Sequence, residues 1–449
     1  MSVPSLQSGI DRAGSPMALL WREQVPPWRP PVVEPEYSGW RVEQAAWRET
    51  VAISDLSYHM FDTVIEGPDA VRMLSELSAN DYTRFAVHQA KQFLPVTAEG
   101  WIVNDGILLR ETAERFVLSG VPPAHRWVRY HAERGGYDVE VRTIQVRTDA
   151  AQDFEPGGAP ERFRFQLQGP RATDLVAAVF AGPLPPTKFF HATPVSLQGR
   201  SLLALRHGMA GEPGYELIGD YRDAALVKEH LMRVGEHLGL EHVGSIAYPT
   251  SGPESGWIPC PVPAIYTAPE LDAYRQWVPL LSYEGQNHLY GSHFSADVED
   301  YYVTPFELGY GRLVSFDHDF LGRDALVRRA REQRRRRVTL VYDVADVEAK
   351  LGRDHGIVYT LACHRVEDSR GRLLGTTAAT AFVDPLGTLV GLAVVDCDRA
   401  EPGTDVRVVW GNHPGPGAPD DVTESFPRVR ATVEVTPYGA FARAGYRRN

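Results

Sequence analysis

The sequence predicts an α+β fold in three parts: two related α+β lobes followed by a C-terminal β-barrel. Three observations carry this. The chain has 449 residues, too many for one ordinary hydrophobic core. Two segments, FDTVIEGPDAVRMLSEL (61–77) and RFQLQGPRATDLVAAVF (164–180), share one design. Each runs from alternating apolar residues through [EQ]-G-P-x-A into an amphipathic pattern, which is a strand, a turn and a helix with proline in its first turn. From residue 338 onward the runs RVTLVYD, GTLVGLAVVD, DVRVVW and RATVEV alternate with Gly/Pro turns, the pattern of a small all-β barrel or jelly roll.

Taken in order, residues 1–36 are rich in proline and polar residues and are expected to form a loose arm. A helix follows from Trp40 to about Val51. Residues 37–337 hold the two lobes. Their expected strands are 93–97, 100–110, 115–120, 137–142, 201–206 and 214–219, and their expected helices are 123–134, 221–238 and 268–279. A last helix starts near Gly322, and the basic run Arg334–Arg337 is expected to close it, where cations suit the helix dipole. The stretch YPTSGPESGWIPCPVPAIYT (248–267) has five prolines, which exclude a long helix and a central strand. Residues 338–449 complete the chain as the barrel.

Composition narrows the function. The net charge of −12 disfavours general nucleic-acid binding, which rests on neutralising phosphates. No apolar run is long enough to span a bilayer. The N-terminal apolar patch is too short for a secretory leader. Cys260, Cys363 and Cys397 form neither a CxxC pair nor an even framework. Together these point to a cytoplasmic protein. There is no HExxH, zinc spacing, phosphate loop or nucleophile elbow, so no metal is expected.

A set of collinear motifs then carries a resemblance. RHGMAGEPGYELIG (206–219), FELGYGRLVSFDHDFLGRDAL (306–326) and GWIVNDGILL (100–109) resemble motifs of the glycine cleavage T-protein superfamily. LSYHM (56–60), AKQFLP (90–95), GWIPCPVPAIYT (256–267) and DYYVTPFELGYG (300–311) look most like its tetrahydrofolate-dependent aromatic O-demethylases, of the vanillate and syringate type. The resemblance covers about residues 37–445. It implies a three-lobed disk around a central folate site, tetrahydrofolate as methyl acceptor, a small aromatic methoxy substrate, and a monomer or homodimer.

It also implies roles. Glu216 and its neighbour Tyr215, with Gln92, Asp105 and Trp257, are placed to bind the cofactor. A carboxylate or amide suits the donors of a pterin edge. The T-proteins have an Asp pair where this chain has Asn104-Asp105, which disfavours aminomethyl transfer. They also carry Arg at the position of Tyr248. A phenol there can donate to a departing ether oxygen, so Tyr248 is the expected catalytic residue, assisted by His59. Tyr37 and Tyr58 are expected substrate walls. Val121 stands where vanillate-type members align an Arg, so a substrate carboxylate is either absent or held elsewhere, through Arg126, Arg129 or His125. Another folate-dependent one-carbon transferase, acting on an amine, a sulfonium compound or a natural product, is the alternative. A non-catalytic folate-binding assembly factor is disfavoured, because HDFLGRDA lacks that group's cysteine.

Overall fold

A computed structural model describes residues 3–143, 160–353, 355–419 and 421–445. Three sheets organise the chain. The first lobe has five strands in the order Ala90–Phe93, Gly106–Arg110, Arg115–Gly120, Phe61–Glu66, Glu140–Thr143. The second has six, in the order Leu240–Val243, Val51–Asp55, Arg162–Gln168, Gly214–Asp220, Arg200–Arg206, Ala192–Leu197. In the third, Leu373–Val383, Arg365–Glu367, Asp405–Val409, Arg428–Glu434, Arg335–Tyr342 and Thr388–Asp396 close on themselves as a six-stranded barrel.

The repeat holds in atomic detail. Strands Phe61–Glu66 and Arg162–Gln168 each run through a glycine into a helix, Ala70–Glu76 or Ala172–Val179. Gly67 and Gly169 both take positive φ, 147° and 135°. A Cβ on Gly67 would lie 2.4 Å from the Asp138 carbonyl oxygen, and one on Gly169 2.6 Å from that of Thr50. Both turns therefore need glycine twice over, for backbone conformation and for close approach.

In the second lobe the strand alternation sorts the side chains. Val51, Ile53, Phe165, Leu167, Tyr215 and Leu217 share one apolar core. Arg164, Gln166 and Glu216, at the intervening positions, point to the opposite face. That face is buried too, so polar groups on it must find partners.

Four expectations change. Residues 1–36 are not a loose arm: helices Leu6–Ala13 and Pro16–Leu20 bury Leu6, Ile10, Met17 and Leu20 against Tyr266, Tyr274 and Val278. The proline content reflects turns and a Pro-started helix rather than disorder. The helix after Gly322 ends at Arg331, and Arg335–Arg337 open a barrel strand. Arg335 pairs there with Glu307 (2.8 Å) and Arg336 with Glu401, while Arg337 donates to the Gly256 carbonyl. The expected strand 93–97 lies earlier, at Ala90–Phe93, since Pro95 has no N–H for a ladder. The expected strand 100–110 is regular only from Gly106, so Asp105 sits where the chain enters the sheet.

Candidate active site

The proline-rich stretch folds as a 3-10 turn, Tyr248–Ser251, running into a short helix, Gly252–Ser255. Pro249 and Pro253 sit in first-turn positions, where a missing N–H costs nothing. Helix Trp40–Glu49 pins the stretch from outside. Gln44 Nε2 donates to Thr250 Oγ1 (2.9 Å) and Arg48 Nε to Glu254 Oε2 (2.8 Å). Tyr248 is thereby held in a cluster with Ala46, Trp47, Leu56 and Val243.

The Tyr248 hydroxyl lies 2.9 Å from His59 Nε2 and 3.8 Å from Met209 Sδ. Burial, then the Glu216 carboxylate and Tyr359, push the Tyr248 phenol well above its usual value, with Arg164 pulling the other way. Burial and then Arg164 hold His59 down at about 3. Both groups are therefore neutral at physiological pH, joined by one hydrogen bond. Tyr248 is suited to donating a hydrogen bond, and less to giving up its proton outright. A cavity of about 10 Å³, room for about one water, borders Tyr248, Met209, Gln166, Gln168 and Ser54.

A second group forms around Asp105. Its Oδ2 accepts from Gln92 Nε2 (2.5 Å), Tyr310 hydroxyl (2.6 Å) and Trp257 Nε1 (3.1 Å). Its Oδ1 is buried with no hydrogen-bond partner among the described residues. Burial raises the Asp105 carboxyl against the lowering effect of those three donors. Gln92, Asp105 and Trp257 thus meet in one cluster, and the ring of Trp257, 40% exposed, borders solvent. Asn104, an amide and so no second acid, accepts the Asp105 N–H through its Oδ1 (2.8 Å).

A third group lies between the lobes. Arg164 donates to Glu216 Oε2 (2.5 Å), Asp62 Oδ1 (3.0 Å) and Ser119 Oγ (2.7 Å), all buried. Burial alone would lower the pKa of Arg164, but Asp62 and Glu216 carry it above the usual arginine value. Glu216 is consequently not a free bidentate acceptor. Only Oε1 remains, 3.7 Å from His207 Nε2.

Three expected site residues lie elsewhere. Tyr215 packs in the second-lobe core, because neighbours on a strand face opposite ways and Glu216 takes the site face. Tyr37, 44% exposed, stacks on His242 of the edge strand Leu240–Val243 at 3.6 Å between ring centres. Tyr58 bonds Tyr221 through their hydroxyls. The aromatic ring that does reach the Tyr248–His59 pair is Trp28, for which the sequence carried no signal. It meets His59 edge-on at 5.7 Å and Tyr248 at 6.4 Å between centres. Tyr310, Met209 and Arg164 contact Asp105, Tyr248 and Glu216 without having been expected there, although Tyr310 and Met209 stand inside quoted motifs and Arg164 opens the second repeat.

Val121 caps helix Pro122–Arg134. Of the cations expected to replace an arginine there, Arg126 is buried and paired with Glu284, and Arg129 pairs with Glu133 (3.0 Å) on the surface. His125 bonds Thr63 Oγ1 (2.9 Å) and is held at about 3 by burial and then Arg126. All three are already engaged within the protein.

Residues 23–259 match the family described as the GCVT N-terminal domain, and the chain belongs to that family. The full-length likeness runs to syringate O-demethylase of Sphingobium sp., 36% identical over 98% of this chain and 97% of the relative. Sesamin methylene transferase of Sinomonas sp. is 27% identical over 90% of this chain and 89% of that protein. The crystal structure of glycine cleavage aminomethyltransferase T from Bartonella henselae superposes with a TM-score of 0.62 and 20% identity over 92% of both chains, which establishes the shared fold.

Replacing Asp105 by Asn tests the second group. Three donors converge on Oδ2, so the amide oxygen must face them, and its NH2 then replaces the unpartnered Oδ1 acceptor. Losing a hydrogen bond to a charged group costs about 1.5–3 kcal/mol. Calorimetric titration of Asp105→Asn with tetrahydrofolate is expected to show binding weakened about 10- to 100-fold.

Proposed function

We propose that this enzyme is a tetrahydrofolate-dependent O-demethylase, which moves the methyl group of an aryl methyl ether to folate N5 and releases a phenol. The observation that carries the reading is the buried Tyr248–His59 pair, a neutral donor that can meet an ether oxygen. Membership of the GCVT family and the full-length likeness to a syringate O-demethylase support it.

The residues fit a reduced folate. Asp105 Oδ1 and Gln166 Oε1 are buried acceptors without a partner among the described residues. A pterin edge is rich in N–H donors that such acceptors satisfy. Bound tetrahydrofolate supplies the nucleophilic amine N5 and, once alkylated, the proton that balances the phenol formed. The protein does the rest by position. Asp105 orients the acceptor, with Gln92, Tyr310 and Trp257 fixing the carboxylate in turn. Tyr248 donates to the ether oxygen as the C–O bond breaks and negative charge gathers there. Two neutral reactants create separated charge in this displacement, and in a buried site such charge needs dipoles already in place. Trp28, over the pair, supplies an aromatic wall for the methoxyarene.

Val121 and the engaged state of Arg126, Arg129 and His125 favour a substrate that does not depend on a benzoate carboxylate. Incubation with tetrahydrofolate and a panel of methoxyarenes, followed by mass spectrometry, is expected to yield 5-methyltetrahydrofolate, with guaiacol-type ethers turned over as well as vanillate. A 5,10-methylene product would instead mark methylene transfer. No turnover of any aryl ether would remove the proposal.

A further inference from the structure

Arg164 is joined to the catalytic loop by its backbone as well as its side chain. Its N–H donates to Ser57 Oγ (3.0 Å) and its carbonyl accepts from the Leu56 N–H (2.9 Å). Leu56 and Ser57 begin the turn that carries His59 from strand Val51–Asp55 to strand Phe61–Glu66. The guanidinium then reaches past the turn to Asp62, just beyond it, to Ser119 of the first lobe, and to Glu216 of the second. One residue thus grips the His59 turn at both ends and ties it to the Glu216 carboxylate. Gln166, two residues along the same face, borders the cavity beside Tyr248.

We propose that Arg164 is a positioning residue for methyl transfer: its planar fork fixes the His59 turn, and through His59 the Tyr248 hydroxyl, in line with the departing ether oxygen. This rests on the O-demethylase reading above. The fork matters as well as the charge. A guanidinium can bond two carboxylates and a hydroxyl in one plane, whereas an ammonium is a point charge with no such geometry. The charge also has a role, because the triad of Asp62, Arg164 and Glu216 carries one net negative charge with the arginine and two without it. A second uncompensated carboxylate would oppose phenolate charge forming nearby.

The atoms balance without a further reactant. The bond from methyl carbon to N5 forms, the bond to the ether oxygen breaks, and the electron pair stays on that oxygen. A donor held in line lessens the dependence of rate on how well the phenoxide leaves. A donor out of line makes poor leaving groups suffer most.

The test compares Arg164→Lys with wild type on 4-nitroanisole, a good leaving group, and 4-methylanisole, a poor one. The variant is expected to slow 4-methylanisole at least about tenfold more than 4-nitroanisole. Asp62→Asn, which leaves the Glu216 pair intact, is expected to shift the ratio the same way by less, and serves if the lysine variant does not fold. A readout without turnover is the 15N signal of His59 in the free protein, which is expected to lose its hydrogen-bond shift in Arg164→Lys. An equal rate loss on both ethers with an unchanged His59 signal would overturn the assignment and leave Arg164 a stability residue. Wild type inactive on both ethers, with the His59 signal moved in the variant, would instead count against the demethylase reading and leave the coupling of Arg164 to His59 standing.

Discussion

Tyr248→Phe is expected to lower the single-turnover rate of methyl transfer by about 10²- to 10³-fold, the range for removing one donor to a developing oxyanion. The affinity for tetrahydrofolate stays nearly the same, because the Asp105 group shares no hydrogen bond with Tyr248. The substitution removes one oxygen from a buried site and leaves His59 Nε2 without its partner, which costs about 1–3 kcal/mol of stability. A melting curve therefore has to show the variant folded at the assay temperature. Since Tyr248 is held above the usual tyrosine value, the wild-type rate should also show no loss from its ionisation near pH 10. Full activity in the phenylalanine variant would refute the role of the hydroxyl.

Arg164→Met is expected to destabilise the protein by about 3–5 kcal/mol, the range for breaking a buried ion pair from one side. Asp62 and Glu216 are then both stranded in a buried site without their shared cation. Urea denaturation would report this as a lower midpoint. The origin of the loss can be separated from the loss of contacts. Replacing all three residues with apolar ones removes the stranded charges, and such replacements are often neutral or stabilising when packing is kept. The triple variant Asp62→Leu/Arg164→Met/Glu216→Leu is therefore expected to regain most of the lost stability while remaining inactive. If the triple variant is as unstable as Arg164→Met alone, the triad contributes by shape and packing and not by paired charge.

The parts of this fold that show in the sequence are those with local causes. The [EQ]-G-P turns announce themselves because both need glycine at positive φ, while Pro68 and Pro170 sit just before the helix N-caps Asp69 and Arg171 and not in the first helical turn as expected. The barrel is legible from alternating β-branched runs between turns. Asp105, Gln92 and Trp257 were legible as a group only through motif resemblance, since they stand far apart in the chain. Other features had no local signal. The arm became structure through burial against residues 266–278, a tertiary effect. The run Arg334–Arg337 reads locally as a helix end, and it is the ladder of Arg335–Arg337 with Val394–Asp396, distant in sequence, that makes a strand of it. Tyr215 shows the opposite kind of error. It was grouped with Glu216 because they are adjacent, although adjacency in a strand separates two side chains to opposite faces. Trp28 could not be found by pattern, because it lies in an irregular stretch and meets its partners only through the path of the chain.

Asp62 and Arg164 stand at the same place in the two copies of the repeat, four residues before Glu66 and Gln168. They also meet, at 3.0 Å. Where two copies of one unit touch at matching positions, identical side chains would set like charge against like. Here the copies have diverged to opposite signs at that point of contact. At this contact the two lobes are complementary in charge, Asp62 of the first facing Arg164 of the second, which is paired besides with Glu216 of its own lobe. The Asp62–Arg164 salt bridge thus joins unlike copies of the repeat at matching positions, so that the difference between the copies is what binds them.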